Sequence, residues 1–177
     1  LAGVSAGRRN EPSYQSAFDA LCSQIQEDIA ILRVAPDKKN WLAALHLCSP
    51  SHWAGEEKIG KDFFAIHSPV PGIEKVNQAA AQLVDAMVTK GPFVRFVWAL
   101  DSSRRLNQNP IPPPGTPVES WKRKLLTGGD FFIRIERQVI WGLPEVNASI
   151  FDIHVSFIDG QEVRSDSRYR AALRSAI

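Results

Sequence analysis

FFIRIERQVIW, residues 131–141, is followed after GLPEVNAS by IFDIHVSFI, residues 150–158, and this stretch decides the fold. In the first run Phe131, Ile133, Ile135, Val139 and Trp141 alternate with Arg134, Glu136 and Gln138, with Arg137 interrupting the apolar set. In the second, Phe151, Ile153, Val155 and Phe157 alternate with Asp152, His154 and Ser156. A period of two is the signature of a β-strand with unlike faces, and the intervening Gly142 to Asn147 has turn chemistry. If the two strands pair, the expectation is that Arg134, Glu136, Gln138, Asp152 and His154 share one sheet face. That face is either a solvated surface laced with ion pairs or the polar wall of a ligand cavity.

Working outward, Phe93 to Leu100 is a third apolar strand, and Asp101 to Val118, with five prolines, is expected to be an extended surface loop. Ahead of it, Ile73, Val76, Ala80, Leu83, Val84 and Met87 follow helical spacing after Pro71-Gly72, and Lys90-Gly91-Pro92 ends the run. Ile29 to Val34 and Trp41 to Cys48, joined by Pro36 to Asn40, form a β-hairpin. Ser13 or Ser16 caps a first helix carrying Phe18, Leu21, Cys22 and Ile25, and Ser165 starts a last one carrying Tyr169, Leu173 and Ile177. Short connections favour antiparallel pairing. The predicted fold is therefore α+β: a PAS-like five-stranded antiparallel sheet with helices inserted after strand two and a C-terminal helix.

At 177 residues the chain suits a single domain, 1–177, with one hydrophobic core. Its 44% hydrophobic and 23% charged residues are those of a globular protein, and a net charge of +2 with only short basic clusters argues against nucleic acid as a partner. Those clusters, Arg8-Arg9, Lys38-Lys39 and Lys122 to Lys124, are expected to be solvated surface. Cys22 and Cys48 lack any C-x-x-C spacing, so neither a zinc site nor an iron–sulfur cluster is expected from this chain alone. No apolar run reaches the roughly 18 residues of a membrane span and no secretory leader is evident, so a cytoplasmic protein is expected. Asn147-Ala148-Ser149 is then an accidental glycosylation sequon. A first residue of Leu suggests a processed product, an excised domain or part of a longer polypeptide.

The irregular Ser49 to Gly72 segment holds two of the four histidines. His67 lies between Ile66 and Ser68-Pro69-Val70-Pro71-Gly72, where two prolines restrict the backbone and could aim an imidazole, a common axial ligand of haem iron. A hydrogen-bonded structural role is the alternative. His52 is a second candidate, whereas His46, inside an apolar strand, suits a satisfied sheet histidine. H-E-x-x-H, C-x-x-C-H, G-x-G-x-x-G, Walker and G-x-S-x-G patterns are all missing, so flavin or NADPH chemistry has to come from other chains.

Five segments in order resemble the haem-dependent oxidative N-demethylase alpha-subunit family. They are Ile25 to Ile29 with its strand, LHLCSPSHW at 45–53, EKIGKDFFAIHSPVPG at 57–72, FVRFVWAL at 93–100 and RIERQVIWGLPEVNASIFDIHV at 134–155. The resemblance implies a PAS-like domain that binds haem b in its cavity and demethylates a small secondary amine such as dimethylamine with O2, releasing formaldehyde. It further implies that electrons come from NADPH through FMN and iron–sulfur (ferredoxin-type) partner subunits. By the same resemblance His67 becomes the axial ligand of the iron. Lys58 becomes a propionate partner, His52 and Trp98 further haem contacts, and Arg134 and Glu136 the distal catalytic groups. Glu136 would hold an alkylammonium substrate and help move protons. The chain departs from the family in an apparent truncation before Ile25, in an apparent insertion at Asn107 to Val118, and at His52. A non-catalytic haem- or ligand-binding sensor or interaction module is the alternative.

Overall fold

The computed structural model describes residues 13–70, 72–122 and 130–176. The Arg8-Arg9 pair, Pro71, Arg123-Lys124 and Ile177 lie outside them. Five antiparallel strands, β1 (Asp28–Val34), β2 (Asn40–His46), β3 (Phe93–Asp101), β4 (Phe132–Leu143) and β5 (Ala148–Asp159), form one sheet in the order β2-β1-β5-β4-β3. The helices α2 (Phe63–His67), α3 (Glu74–Gln78) and α4 (Ala80–Thr89) fall between β2 and β3, and α6 (Gly160–Ser165) and α7 (Ser167–Ala176) follow β5. Two short helices complete the set, α1 (Ala17–Cys22) before β1 and α5 (Val118–Trp121) after β3. This is the α+β architecture expected, and nothing in it conflicts with the PAS-like reading.

Register corrects the expected polar cluster. β4 and β5 pair with Arg134 opposite Phe157, Glu136 opposite Val155 and Gln138 opposite Ile153, while His154 faces Arg137 and Asp152 faces Val139. Residues directly opposite in an antiparallel pair share a face. Arg134, Glu136 and Gln138 therefore lie on one face, the inner one, beside apolar β5 residues, and Asp152 and His154 lie on the other. On that outer face His154 Nδ1 sits 3.2 Å from Glu27 Oε1, while Asp152 is half-buried beside the buried Val139.

The inner face carries α2, α3 and α4, while α1 meets His46 on the outer face. Leu32, Phe63 and Val84 form a buried cluster with Val34, Val76, Ala80 and Met87 packed around it. The expected single helix through residue 87 is instead α3 and α4, broken at Ala79, whose φ of −97° and ψ of 12° leave helical geometry. Leu83 of the predicted stripe is exposed and Val88, beyond it, is buried. At the other end of the fold the expected last helix is α7, which starts at Ser167, and a separate short helix, α6, precedes it from Gly160, where Asp159 caps it by accepting from Gln161 N. Tyr169 and Leu173 are only half-buried on α7.

α4 closes directly onto β4 at Gly142, where a Cβ would stand 2.3 Å from Val88 O. Gly142→Ala is therefore expected to push the helix end off the sheet and cost about 1–3 kcal/mol, read as a lower urea midpoint with unchanged slope.

The proline-rich segment is not simply a surface loop. Gln108 and Asp101 are buried. Gln108 N donates to Pro50 O at 2.9 Å and His52 N donates to Gln108 O at 3.2 Å, so the segment is pinned to the Ser49–His52 loop. Its second half holds the exposed prolines.

Candidate functional site

His67 closes α2, a helix the sequence reading treats as irregular chain. Asp62 caps it by accepting from Ala65 N at 2.7 Å, and Phe63 buries its aromatic ring. The imidazole stacks on Phe63 at a centroid distance of 4.2 Å, and Nδ1 lies 2.7 Å from Phe63 O. A carbonyl only accepts, so Nδ1 carries the proton and Nε2 keeps its lone pair. Burial pushes the His67 pKa below the ordinary imidazole range; the Phe63 carbonyl opposes this, and the positive charges of Arg95 and Lys58 add to it. The result is a neutral imidazole with a fixed tautomer and a donor atom available, flanked by two cations.

This arrangement has a measurable consequence. A histidine whose folded pKa is depressed binds fewer protons folded than unfolded near the unfolded value of about 6.5. Its contribution to stability is thus complete above that pH and is lost as pH falls toward the folded value. Urea midpoints measured across pH 7 to 5 are expected to fall more in the native chain than in His67→Gln.

Lys58, expected beside a haem propionate, has Nζ donating to Ile66 O at 2.7 Å, which ties it to the end of α2. Burial lowers its pKa, with Lys61 adding to the effect and Glu57 opposing it. The remaining Nζ protons leave it able to meet an anion as well.

On the inner face a chain of polar contacts crosses from β3 to β4. Arg95 Nε donates to Gln138 Oε1 at 2.6 Å, and Gln138 Nε2 donates to Glu136 Oε2 at 2.9 Å. Glu136 Oε1 lies 3.6 Å from Arg134 Nε. Arg134 is 1% exposed and its terminal nitrogens donate to Ser49 O at 2.5 Å and Leu106 O at 3.1 Å. Asp28, also buried, accepts from Cys48 N at 2.6 Å and Ser49 N at 2.9 Å. Burial raises its pKa, although the two amides and the nearby Arg134 pull the other way. Arg134 and Asp28 thus grip the same Ser49 segment from its carbonyl and its amide.

The structure brings His67, Lys58, Glu136 and Arg134 to the inner side of the sheet. Trp98 is not among them: it pairs with Ile135 on the outer face and is 42% exposed there, beside Phe96. His52, with a φ of 61°, lines a different cleft with Arg105, Gln108 and Trp121. His46 has Nε2 3.4 Å from Ser23 Oγ and 3.7 Å from Asp19 Oδ1, the satisfied sheet histidine expected.

Arg95 and Asp28 are the residues that sequence reasoning passed over. A lone cation inside FVRFVWAL and an acid opening a strand were the available signals. Among the described residues no three His, Cys, Asp or Glu side chains converge as a metal site. A porphyrin brings four nitrogens of its own, so one neutral imidazole meets its need, and Lys58 and Arg95 suit its two carboxylates. The donor set fits haem.

An α+β domain with a neutral, carbonyl-anchored imidazole at the edge of its helix-covered face belongs to a class able to hold a tetrapyrrole. The family model described as haem-dependent oxidative N-demethylase, alpha subunit-like, matches residues 4–177, and the chain belongs to that family. The family's description makes haem the cofactor. A comparison with curated proteins finds no match. Among the described residues no helix is long and apolar enough to cross a membrane.

Proposed function

We propose that this chain is the haem-carrying subunit of an oxidative N-demethylase acting on a small secondary amine such as dimethylamine. The reaction is (CH3)2NH + O2 + 2e− + 2H+ → CH3NH2 + HCHO + H2O, a monooxygenase stoichiometry in which the methyl carbon is oxidised and O2 reduced. Haem, when bound, supplies the centre where O2 is activated and electrons arrive.

The observation that carries the reading is His67: neutral, with Nδ1–H held by Phe63 O and Nε2 left as the ligand atom. The Nδ1 hydrogen bond fixes ring orientation and raises ligand basicity, the role such partners play at metal sites. Lys58 and Arg95 would compensate the propionates. Glu136, aligned by Gln138 Nε2, offers a carboxylate for the ammonium of the amine, and its second oxygen lies 3.6 Å from Arg134 Nε. Val155, opposite Glu136 and buried, helps exclude water from that carboxylate. Arg134 is a positioning residue in this scheme, because its terminal nitrogens are taken by backbone carbonyls.

Electrons would come from NADPH through FMN and iron–sulfur subunits, for which this chain supplies no motif. Two unbridged cysteines and NADPH as donor support a cytoplasmic setting.

The test is reconstitution with haemin followed by assay with dimethylamine and a supplied reductase. A Soret band together with formaldehyde release supports the proposal. A flat visible spectrum sinks the haem reading. A Soret band without turnover leaves a sensor or binding module.

A further inference from the structure

We propose that β3 pairs edge to edge with β3 of a second copy of this chain, antiparallel and centred on Phe96, so that two sheets become one. Among the described residues β3 ends the sheet order, and one side of its backbone has no strand beside it. Its first seven residues, Phe93 to Ala99, are all exposed. The large ones stand on both faces: Val94, Phe96 and Trp98 on the outer face are 59%, 67% and 42% exposed, and Phe93 and Val97 on the inner face are 41% each.

An open strand edge is a template for another strand, and natural sheets blunt it with lysine, proline, a bulge or a covering segment. The other end of this sheet is protected in two of these ways. β2 bulges at Ala43, where Ile31 pairs with Ala44 but Leu32 with Leu42, and Leu42 donates to Lys61 O and accepts from Gly60 N, each at 2.9 Å. β3 lacks such devices: it carries no lysine or proline, and its register with β4 runs unbroken from Phe93 to Asp101. Among the described residues no loop backbone hydrogen bond reaches Phe93 to Ala99. Arg95, the one charge in that stretch, turns away from the edge, with Nε donating to Gln138 Oε1 at 2.6 Å and the guanidinium 5.8 Å from the Phe151 ring of β5.

The exposed stretch is its own complement. About a two-fold axis at Phe96, Phe96 meets Phe96 of the second copy and Val94 meets Trp98 on the outer face, while Phe93 meets Ala99 and Arg95 meets Val97 on the inner face. Every outer pair is apolar, and no like charges stand opposite each other. A bare Phe or Trp side chain offers roughly 150–250 Å2, so the exposed parts of Phe93, Phe96 and Trp98 come to about 300 Å2 on each copy. With Val94, Val97 and the strand backbone, the pairing buries about 1,000 Å2 over both copies, the lower bound of a specific interface. Each copy offers one such edge and the contact is isologous, so association stops at two.

The experiment is sedimentation equilibrium of the full, haem-free chain from about 1 to about 200 µM. A monomer–dimer equilibrium with a Kd of about 10 µM is expected, as suits an interface of minimum size. Phe96→Lys is expected to weaken it at least about a hundredfold, because it sets two lysines face to face at the axis. In a Cys48→Ser background, Phe96→Cys is expected to form an intermolecular disulfide under mild oxidation, since directly opposed residues lie within the Cα reach of such a bond. Trp98→Cys is not, because its two copies stand four residues, about 13 Å, apart along the strands. A chain that stays monomeric throughout overturns the proposal, as do species larger than a dimer, a dimer indifferent to Phe96→Lys, or equal crosslinking by the two cysteine variants. Because these measurements need no haem, their failure is separate from failure of the demethylase reading.

Discussion

His67→Ala is expected to lower haem affinity by at least about a hundredfold and to remove the imidazole-ligated spectrum, with added free imidazole restoring much of both. Loss of a mere supporting group around a metal ligand typically costs 10–100-fold, and loss of the ligand itself exceeds that. The substitution leaves a ring-sized gap above Phe63 with the Phe63 carbonyl still in place, so free imidazole can enter with the same Nδ1 partner. His67 is only half-buried at a helix end, so the apoprotein keeps its fold. Haemin titration and the Soret position check the result; an unchanged affinity and spectrum would remove His67 as the ligand.

Arg134→Met is the substitution with the largest expected cost in stability, about 3–5 kcal/mol, because it strips a buried cation from the buried Asp28 and the half-buried Glu136 and leaves backbone carbonyls unpaired. Glu136 and Asp28 lose their positive neighbour, and Ser49 O and Leu106 O lose their donors. Against a typical total of about 5–15 kcal/mol this is a large fraction. The apoprotein's urea transition is the measurement. A variant of native stability that fails only in turnover would instead give Arg134 the distal catalytic role that the family resemblance suggests.

The difference between these two residues shows where sequence reading reached its limit. IHSPVPG marked His67 through resemblance, and the prolines suggested a fixed direction, but the cause of its fixed tautomer is a carbonyl four residues back in α2. That helix is one and a half turns long, too short for an amphipathic pattern to reveal it. Arg134 was visible as a cation on a strand, yet its partners Ser49 and Leu106 are 85 and 28 residues away, and no local pattern carries such pairings. Arg95 escaped notice because a single charge on an otherwise apolar strand looks like a solvated edge residue until Gln138 is seen beside it.

The alternation in FFIRIERQVIW and IFDIHVSFI determined by itself that two strands exist, which residues of each strand share a face, and that one face of β4 is polar. Apolar periodicity and breakers placed the hairpin, the apolar stripe that runs through α3 and α4, and the third strand in the same way. These are properties of a chain with fixed side-chain periods. Which polar residues meet was decided only by the tertiary structure. Leu143 pairs with Ala148 across the connection Pro144 to Asn147, so odd-numbered residues of β4 pair with even-numbered residues of β5. A connection one residue longer or shorter would have set Asp152 and His154 beside Glu136. Because one step of register exchanges the two faces, alternation alone leaves this choice open, and the turn and the packing of the inner face make it.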